Sequence, residues 1–342
     1  MRVTIKDIAR KAGVSHATVS RALNAHPAIP ECTAAHIRQV ALEMGYLPSA
    51  AARGLKTHRS HVLGVVVSRF DDPYFGDVLR GVEDVLRQNG YSLFVASFDS
   101  AQASERDIVR ALGEHAVDGV LFLSIAFSAE YAALLQQYDI PWVVINNQSP
   151  GEAAFSVTHD DLEGSRQVVR HLVALGHACI AYMGNVGAGR TNEERLSGFC
   201  LELSAAGKGT DTGVVINCRG GEVSDGIQGA RELLALRVRP TAIFCFNDLM
   251  AIGVLTELQR KGFSVPGDFS LVGFDNIPFS ALTNPPLTTF DQPKRFIGME
   301  AARLLLGLLK QEPDYGEKVK TLKGSLLVRS STAATQKVPY AK

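Results

Sequence analysis

Several polar side chains follow directly after short apolar runs in the second part of this 342-residue chain. They are Asn146, Asn247, Asp248 and Asp275, together with Arg195, which opens a helical stretch after another such run. Carboxylate, amide and guanidinium groups can hold the vicinal hydroxyls of a sugar through paired hydrogen bonds. The rings of Tyr74 and Phe75 can cover the apolar face of the ligand. These residue types favour a carbohydrate over a purine, because only two stacking groups are evident.

A second group of residues suits the recognition of double-stranded DNA. Residues 1–60, called the head below, hold nine Lys and Arg against three Asp and Glu, so the rest of the neutral chain, called the body, is acidic. His16, Ala17 and Arg21 fall early in a predicted helix, where side chains reach the major groove. Arg21 can donate two hydrogen bonds to guanine. The groups suited to phosphate oxygens are Ser15, Thr18, Ser20, Asn24 and Thr33.

The sequence contains no pattern that indicates catalysis. GNVGAG at 184–189 differs from the glycine spacing of dinucleotide sites, and GKGT at 207–210 lacks the features of a phosphate loop. Five scattered cysteines have no metal-ligand spacing and favour free thiols in a reducing compartment. We therefore expect no enzyme activity, no cofactor and no metal. Neither a signal peptide nor a membrane segment is evident, which predicts a cytoplasmic protein.

The body must position the ligand-binding residues, and it alternates β-branched runs with amphipathic helical patterns. Strands are predicted at Val62–Ser68, Tyr91–Ser97, Val117–Leu123, Trp142–Asn146, Cys179–Met183, Val214–Asn217, Ala242–Phe246 and Ser270–Asp275. Nearly continuous apolar strands joined by helices specify a parallel sheet covered on both faces. Two consecutive sets of this kind predict an α/β body of two doubly wound halves, with a ligand cleft at the carboxyl ends of the strands.

The head has no strand pattern and divides into three short helical stretches. Thr4 and Asp7 match a capping box, Gly13 supplies a tight turn, and Ser15 can cap the second helix. Apolar residues that can form the seam between the first two helices are Ile8, Ala9, Val14, Val19 and Leu23. The pattern predicts a helix-turn-helix. An ordinary α-hairpin is the alternative, which the basic excess disfavours.

Motifs along nearly the whole chain carry a family resemblance. They are VTIKDIARKAGVSHATVSRALN at 3–24, GYLPSAAARGLK at 45–56, DPYF at 72–75, HLVALGH at 171–177, RLSGF at 195–199, PTAIFCFNDLMAIG at 240–253, VPGDFSLVGFDN at 265–276 and LTTFDQP at 287–293. In these motifs the chain resembles the LacI/GalR family of bacterial repressors. The resemblance implies a helix-turn-helix head and a periplasmic-binding-protein-like body. It also implies a ligand-responsive transcriptional regulator that binds a pseudo-palindromic operator.

The resemblance also assigns roles to individual residues. It implies that a hinge at 49–56 folds on DNA, with Ala52 allowing close approach and Leu55 entering the minor groove. Arg195, Asn247 and Asp275 match the family's sugar contacts, with Asn146 and Gln292 close behind. Weaker candidates for effector contact are Asp72, Tyr74 and Asp160. The expected effector is a mono- or disaccharide.

The residue patterns and the family resemblance together predict the domain boundaries. We expect the DNA-binding domain at 1–48, a hinge or linker at 49–60, the effector-binding body at 61–332 and a tail at 333–342. Within the body, one subdomain would comprise about 61–159 and 293–323. The other would comprise about 160–290 and 324–332.

Assembly can be predicted from the need for two heads on a twofold-symmetric operator. A stripe at helical spacing offers either a dimer interface or core packing, and consists of Phe75, Val78, Leu79, Val82 and Leu86. The segment after residue 331 has no leucine heptad, so we expect a homodimer and not a tetramer. A solute-binding protein and a sugar-metabolising or nucleotide-dependent enzyme are the competing classes. The basic head opposes the first, and turnover of a bound sugar would reveal the second.

Overall fold

The computed structural model describes eight stretches of the chain: residues 3–24, 26–46, 59–97, 104–124, 126–148, 155–207, 213–311 and 318–335. The chain divides into two compact units, Met1–Ser60 and His61–Lys342, which match the head and the body. The predicted hinge residues Ala52 and Leu55 lie outside the described residues.

Three helices make up the described part of the head: α1 (Ile5–Ala12), α2 (His16–Leu23) and α3 (Glu31–Glu43). Asp7 accepts a hydrogen bond from the backbone N–H of Thr4 at 3.0 Å, which closes the predicted capping box. Gly13 ends α1 at φ 68°, a left-handed conformation that suits glycine. The short turn that follows places α2 across α1, as a helix-turn-helix requires.

One small core holds the three helices of the head together. Its buried members are Ile8, Ala9, Val19, Ala22, Ala34, Ile37, Val40 and Ala41. Val14 and Leu23, predicted for the same seam, are only partly buried and pack against it. Because the core takes one face of α2, the remaining face of that helix stays accessible.

The first half of the body is a six-stranded parallel sheet in the order β11-β5-β4-β3-β1-β2. Its strands are β1 (Val62–Val67), β2 (Ser92–Ser97), β3 (Gly119–Leu123), β4 (Trp142–Ile145), β5 (Phe155–His159) and β11 (Val319–Leu322). The helices of this half are α4 (Pro73–Gln88), α5 (Glu105–Glu114), α6 (Ala129–Gln137) and α11 (Lys294–Lys310). Buried clusters on both faces account for the nearly continuous apolar strands.

The second half repeats this plan with the strand order β12-β10-β9-β8-β6-β7. Its strands are β6 (Ile180–Asn185), β7 (Gly213–Cys218), β8 (Ala242–Cys245), β9 (Ser270–Asp275), β10 (Thr288–Asp291) and β12 (Ser325–Leu327). Its helices are α7 (Asp161–Ala174), α8 (Gly189–Ala205), α9 (Val223–Leu234) and α10 (Asp248–Arg260). Only β12, among the described strands, runs antiparallel to its neighbour.

The chain passes between the two sheets three times. The crossings connect β5 to α7, β10 to α11 and β11 to β12. Because β5, β10 and β11 lead into these crossings, residues at the ends of these three strands can respond to a change in the angle between the halves. His159 and Gln292 lie at two of the three crossings.

The apolar stripe on α4 is core and not an interface. Phe75, Val78, Val82 and Leu86 are buried in the cluster that α4 forms with α11, and Leu79 packs against it. A Cβ on Gly81 would overlap the carbonyl oxygen of Arg295, so the two helix backbones touch at this point. Of the two alternatives for this stripe, the structure supports core packing, because α11 already covers it.

Within the described stretches, no helix is both long enough and apolar enough to span a membrane.

Candidate functional site

The exposed face of α2 is the candidate DNA-reading surface of the head. His16, Ala17 and Arg21 are exposed, whereas Val19 and Ala22 of the same helix are buried. Arg21 forms no salt bridge with any described residue, so its five N–H donors remain available to a guanine.

The polar residues predicted around this face have mixed roles. Ser15 caps α2, because its Oγ accepts from the backbone N–H of Thr18 at 3.1 Å. The side chain of Asn24 donates to the carbonyl of Ser20 at 2.7 Å and is engaged at the end of the helix. Ser20 and Thr33 are partly exposed. A backbone role does not prevent Ser15 from meeting a phosphate, since its hydroxyl can also donate.

The body contains a cavity of about 290 Å³ whose wall is formed by the strand ends of both sheets. The first half contributes Ser68, Arg69, Asp72, Tyr74, Phe75, Ser124, Asn146, Gln148 and His159. The second half and the β10–α11 crossing contribute Asn185, Gly187, Ala188, Thr191, Arg195, Gly221, Glu222, Phe246, Asn247, Asp275 and Gln292. The position agrees with the rule that open α/β sheets bind ligands at the carboxyl ends of their strands.

Arg195 is the buried cation of the cavity wall. Its Nε donates to Oδ1 of Asp161 at 2.7 Å, and its Nη1 donates to the carbonyl of Phe246. Its guanidinium also lies over the ring of Phe274, 3.8 Å from the centroid. Burial lowers the pKa of Arg195, but Asp161 and Asp275 outweigh that effect and raise the pKa above its ordinary value. The residue is a rigid cation that can offer Nη2 to a ligand.

Asp275 and Gln292 form an acceptor pair in the same wall. Gln292 donates through Nε2 to Oδ1 of Asp275, and Nη2 of Arg195 lies 3.6 Å from that oxygen. Burial raises the pKa of Asp275 well above its ordinary value, against the opposing effect of Arg195. Oε1 of Gln292 is buried and has no partner among the described residues. Oε1 of Gln292 can therefore accept a hydrogen bond from a ligand, because a buried acceptor without a partner is costly.

A chain of hydrogen bonds runs from Tyr74 through Asn146 and His159 to Asp161. Nδ2 of Asn146 donates to the Tyr74 hydroxyl at 2.7 Å, and Oδ1 of Asn146 lies 3.0 Å from Nδ1 of His159. Nε2 of His159 lies 2.9 Å from Oδ1 of Asp161. All four side chains are at most 6% exposed, so the chain is shielded from bulk water. It links the first sheet to the start of α7 across a crossing.

Asn247 and Asp248 have different surroundings although they are adjacent. Asn247 lines the cavity and caps α10, because its Oδ1 accepts from the N–H of Met250 at 2.9 Å. Its Nδ2 donates to the carbonyl of Gly221 at 2.9 Å. Asp248 is absent from the cavity wall. Its Oδ2 accepts from the N–H of Ile277 at 2.8 Å, and its Oδ1 accepts from the Thr289 hydroxyl at 2.6 Å. Burial raises the pKa of Asp248 to about 7. Its role in the structure is to brace the β9–β10 region, not to meet a ligand.

The remaining predicted effector residues begin helices. Asp72 caps α4 and lines the cavity, where burial raises its pKa. Phe75 and Tyr74 follow it in the first turn and also line the cavity. Asp160 caps α7 by accepting from the N–H of Glu163 at 2.9 Å and is not part of the wall. The family resemblance, and not a predicted strand, suggested Asp160 as a weaker candidate, and the structure gives it the role of a helix cap.

Side chains that sequence reasoning missed connect the two walls of the cavity. Arg69 forms an ion pair with Glu222 across the cleft. Gln148 donates to the Thr191 hydroxyl at 2.8 Å and accepts from the N–H of Thr191 at 3.2 Å. His159 was also missed, although it ends a strand. Arg69 and Gln148 come shortly after predicted apolar strands, so a signal was available for these two, whereas His159 ends a strand that the patterns did not predict.

Comparisons with known proteins agree with this architecture. Residues 4–49 match the description of bacterial regulatory proteins of the lacI family, and residues 169–332 match a periplasmic binding protein-like domain. The chain is 33% identical to the HTH-type transcriptional repressor PurR of Vibrio atlanticus, over 96% of this chain and 98% of the relative. It is also 33% identical to the repressor PurR of Vibrio cholerae serotype O1, over 90% and 92%.

Solved structures give the same result. The chain is similar to the Lac repressor dimer bound to operator and the anti-inducer ONPF, with a TM-score of 0.86, 26% identity, and coverage of 98% and 100%. A regulator from Enterococcus faecium with bound ribose gives a TM-score of 0.73 at 28% identity, covering 80% and 100%. The complex of the regulator CelR with cellobiose gives a TM-score of 0.72 at 28% identity, and the match covers 96% of this chain and 100% of CelR.

The extent of the sequence match and the two matched domains confirm the resemblance, the fold class and the expectation that the chain is not an enzyme. The protein is a transcriptional repressor, and it belongs to the lacI family of bacterial regulatory proteins.

Proposed function

We propose that the protein binds a pseudo-palindromic DNA operator as a homodimer and that a small sugar in the body cavity controls its DNA affinity. The observation that carries this proposal is the construction of the cavity from the strand ends of both sheets. A ligand that bonds to both walls favours one angle between the halves, and a ligand can shift a conformational equilibrium only through such differential contacts.

The polar character of the wall supports a sugar as the effector. Arg195, Asn247 and Asp275 line one half of the cavity, and Asn146 lines the other. These groups can donate to and accept from the vicinal hydroxyls of a sugar. A volume of about 290 Å³ is at the lower end of the range for ligand pockets and favours a monosaccharide. The solved relatives with ribose and cellobiose are consistent with this class.

A purine base is the second candidate. The sequence relatives that carry the name PurR make it necessary to test this class beside sugars. Phe75 and Phe246 line the cavity and are the rings on which a flat base could stack. The guanidinium of Arg195 already lies 4.5 Å from the centroid of Phe246, which leaves less of that ring for a base.

An exposed apolar patch on the body supports dimer formation. Phe279, Leu282 and Val328 are 53%, 78% and 54% exposed. Nη1 of Arg329 donates to the Ser280 hydroxyl at 3.1 Å, which holds the segment after β12 beside the turn at Pro278–Ala281. A cluster of large exposed apolar side chains marks an interaction surface. We assign the dimer interface to this patch, because α11 covers the stripe on α4.

Selection of bound duplexes from a random DNA library tests the DNA part of the proposal. We expect an inverted repeat, because two copies of α2 read two half-sites related by a twofold axis. A single asymmetric site would contradict the dimer. Thermal-shift screening of sugars and purine bases tests the effector part. A stabilising sugar and no response to purines is the expected result, and the reverse would replace the sugar with a purine.

A further inference from the structure

His159 occupies a position that no part of the proposed function uses. The ring is 2% exposed, lines the cavity and ends β5 at the crossing into the second half. Both ring nitrogens are engaged, Nδ1 with Oδ1 of Asn146 and Nε2 with Oδ1 of Asp161. A histidine bonded at both nitrogens has protonation-dependent donor and acceptor roles, so its partners must match its charge.

With the Asn146 amide in this orientation, both ring nitrogens of His159 face acceptors, which is the pattern that a charged ring satisfies. Asn146 directs its amide nitrogen to Tyr74 and its oxygen to Nδ1, so Nδ1 must carry a hydrogen. Nε2 faces a carboxylate oxygen and must carry one as well. Burial disfavours the ionised form of Asp161, but His159 and Arg195 outweigh it and lower the pKa of this carboxyl. Asp161 is therefore an acceptor, and both ring nitrogens donate.

A second pattern satisfies the same four side chains when the ring is neutral. Nε2 still donates to Asp161, while Nδ1 becomes an acceptor. The side-chain amide of Asn146 then rotates so that Oδ1 and Nδ2 exchange places, which the nearly equal shape of the two groups allows. Its nitrogen donates to Nδ1 and its oxygen accepts from the Tyr74 hydroxyl. Burial raises the pKa of Tyr74, which keeps a hydrogen on that hydroxyl in both patterns.

We infer that the charge of His159 determines which hydrogen-bonding role the Tyr74 hydroxyl presents to the cavity. With the ring charged, Tyr74 accepts from Asn146 and its own hydrogen is free to donate to a ligand. With the ring neutral, the Tyr74 hydroxyl donates its hydrogen to Oδ1 of Asn146, and only its lone pairs remain available to a ligand. His159 is thus a specificity-determining residue that acts through Asn146 and does not need to touch the ligand.

The charged groups around this relay come from several elements. Asp161 lies on α7, Arg195 on α8 and Asp275 at the end of β9, and the last two interact with each other at 3.6 Å. Asp72 precedes α4, the helix that carries Tyr74. A ligand group that only accepts hydrogen bonds gains from the charged ring, whereas a sugar hydroxyl can adapt to either state. The inference rests on the proposed role of the cavity, but the relay itself exists without a ligand.

The test follows the ring and the phenol in the full chain without effector or DNA. Protein labelled with ¹⁵N-histidine and ¹³Cζ-tyrosine is titrated by NMR over the whole pH range in which the protein stays folded. Tyr74→Phe and His159→Gln assign the two signals. We expect the Tyr74 signal to shift with the same midpoint as the His159 ring nitrogens, and to lose its titration in His159→Gln.

Two further variants keep the test decisive if His159→Gln does not fold. Asn146→Ser interrupts the relay and leaves the ring in place, so His159 should titrate without any response at Tyr74. His61→Gln removes an exposed histidine and should leave the coupling intact. A Tyr74 signal that stays constant while His159 titrates overturns the inference, as does a ring that never titrates. Neither outcome affects the proposed DNA or effector binding, which use separate measurements.

Discussion

Arg195, which lines the cavity, forms a buried ion pair with Asp161 on the neighbouring helix. Nε of Arg195 donates to Oδ1 of Asp161 at 2.7 Å, and each side chain is only 3% exposed. The pair holds the guanidinium at a fixed position before any ligand arrives. A preorganised donor of this kind lowers the entropy cost of binding, because it does not need to be ordered by the ligand.

Removal of the Asp161 charge should destabilise the body strongly. Asp161→Asn deprives the buried Arg195 cation of its nearer carboxylate, since Asp275 lies 3.6 Å away, and breaking a buried pair in this way costs about 3–5 kcal/mol. Urea unfolding of the variant measures the loss. Glu130→Gln is the control, because its pair with Arg106 is exposed and should cost at most about 1 kcal/mol. Losses of similar size in the two variants would contradict the importance of the buried pair.

Asp248 should make the body less stable as the pH rises. Its pKa of about 7 lies above that of an unfolded aspartate, so the folded state binds the proton more tightly. This stabilisation is complete below about pH 4 and is lost as the pH rises through about 7. Relative to Asp248→Asn, the free energy of unfolding of the wild type should fall by up to about 1.4 kcal/mol per pH unit in this window.

The matching control for this pH dependence is Asp139→Asn, which changes an exposed aspartate. Chemical unfolding at several pH values should give parallel curves for this variant and the wild type. If the difference between wild type and Asp248→Asn is constant from about pH 4 to 7, the raised pKa of Asp248 is wrong.

The contact between α4 and α11 should tolerate no side chain at Gly81. A Cβ there would overlap the carbonyl of Arg295, and overpacking of this type typically costs about 1–3 kcal/mol. Gly76→Ala is a matched control on the same helix, since nothing lies within 4 Å of its position. We expect it to stabilise the protein by up to about 1 kcal/mol. If thermal unfolding gives Gly81→Ala a higher Tm than Gly76→Ala, the close approach of α4 and α11 is refuted.

Arg21 should determine one base pair in each half-site of the operator. Loss of two hydrogen bonds to guanine in Arg21→Ala costs about 1–3 kcal/mol and relaxes the preference at that position. Arg10→Ala removes another exposed arginine, which lies on α1 and pairs with Asp7. It should change the affinity equally for all sequences, or not at all. Repetition of the library selection with both variants gives the comparison, and an unchanged consensus with Arg21→Ala would contradict its assignment.

Periodicity predicted most of the fold because most of the strands that it relied on are buried on both faces, with the edge strands β2 and β7 as exceptions. Apolar runs such as Val62–Val67 have no other explanation in a chain of this composition. The strand patterns did not reveal β5, β10 or β11. The first two carry hydroxyl groups among their buried residues, and β11 is largely exposed. Helix α11 was also overlooked, and with it the cover over the stripe on α4.

The sequence predicted the location and the residue types of the candidate site, but not the role of every residue in it. Strand ends gave Asn146, Asn247 and Asp275, because strand order alone determines which edge of the sheet they occupy. The same rule could not separate a ligand contact from a structural acceptor, so Asp248 was grouped with Asn247. That difference depends on which tertiary partners surround the carboxylate, here Ile277 and Thr289. Pairs across the cleft, such as Arg69 with Glu222, depend on the packing of the two halves and leave no local pattern.

The proposed function requires that a ligand in the cavity changes the affinity of the protein for DNA. Fluorescence anisotropy on the selected operator, with and without the sugar that gives the largest thermal shift, measures this coupling directly. The sugar should change the operator affinity of the wild type. Asp275→Ala should still bind the operator but need about 5- to 150-fold more sugar for the same response, as expected for loss of about 1–3 kcal/mol of hydrogen bonding. An operator affinity that no sugar or purine changes, or an unaltered response in Asp275→Ala, would contradict the account.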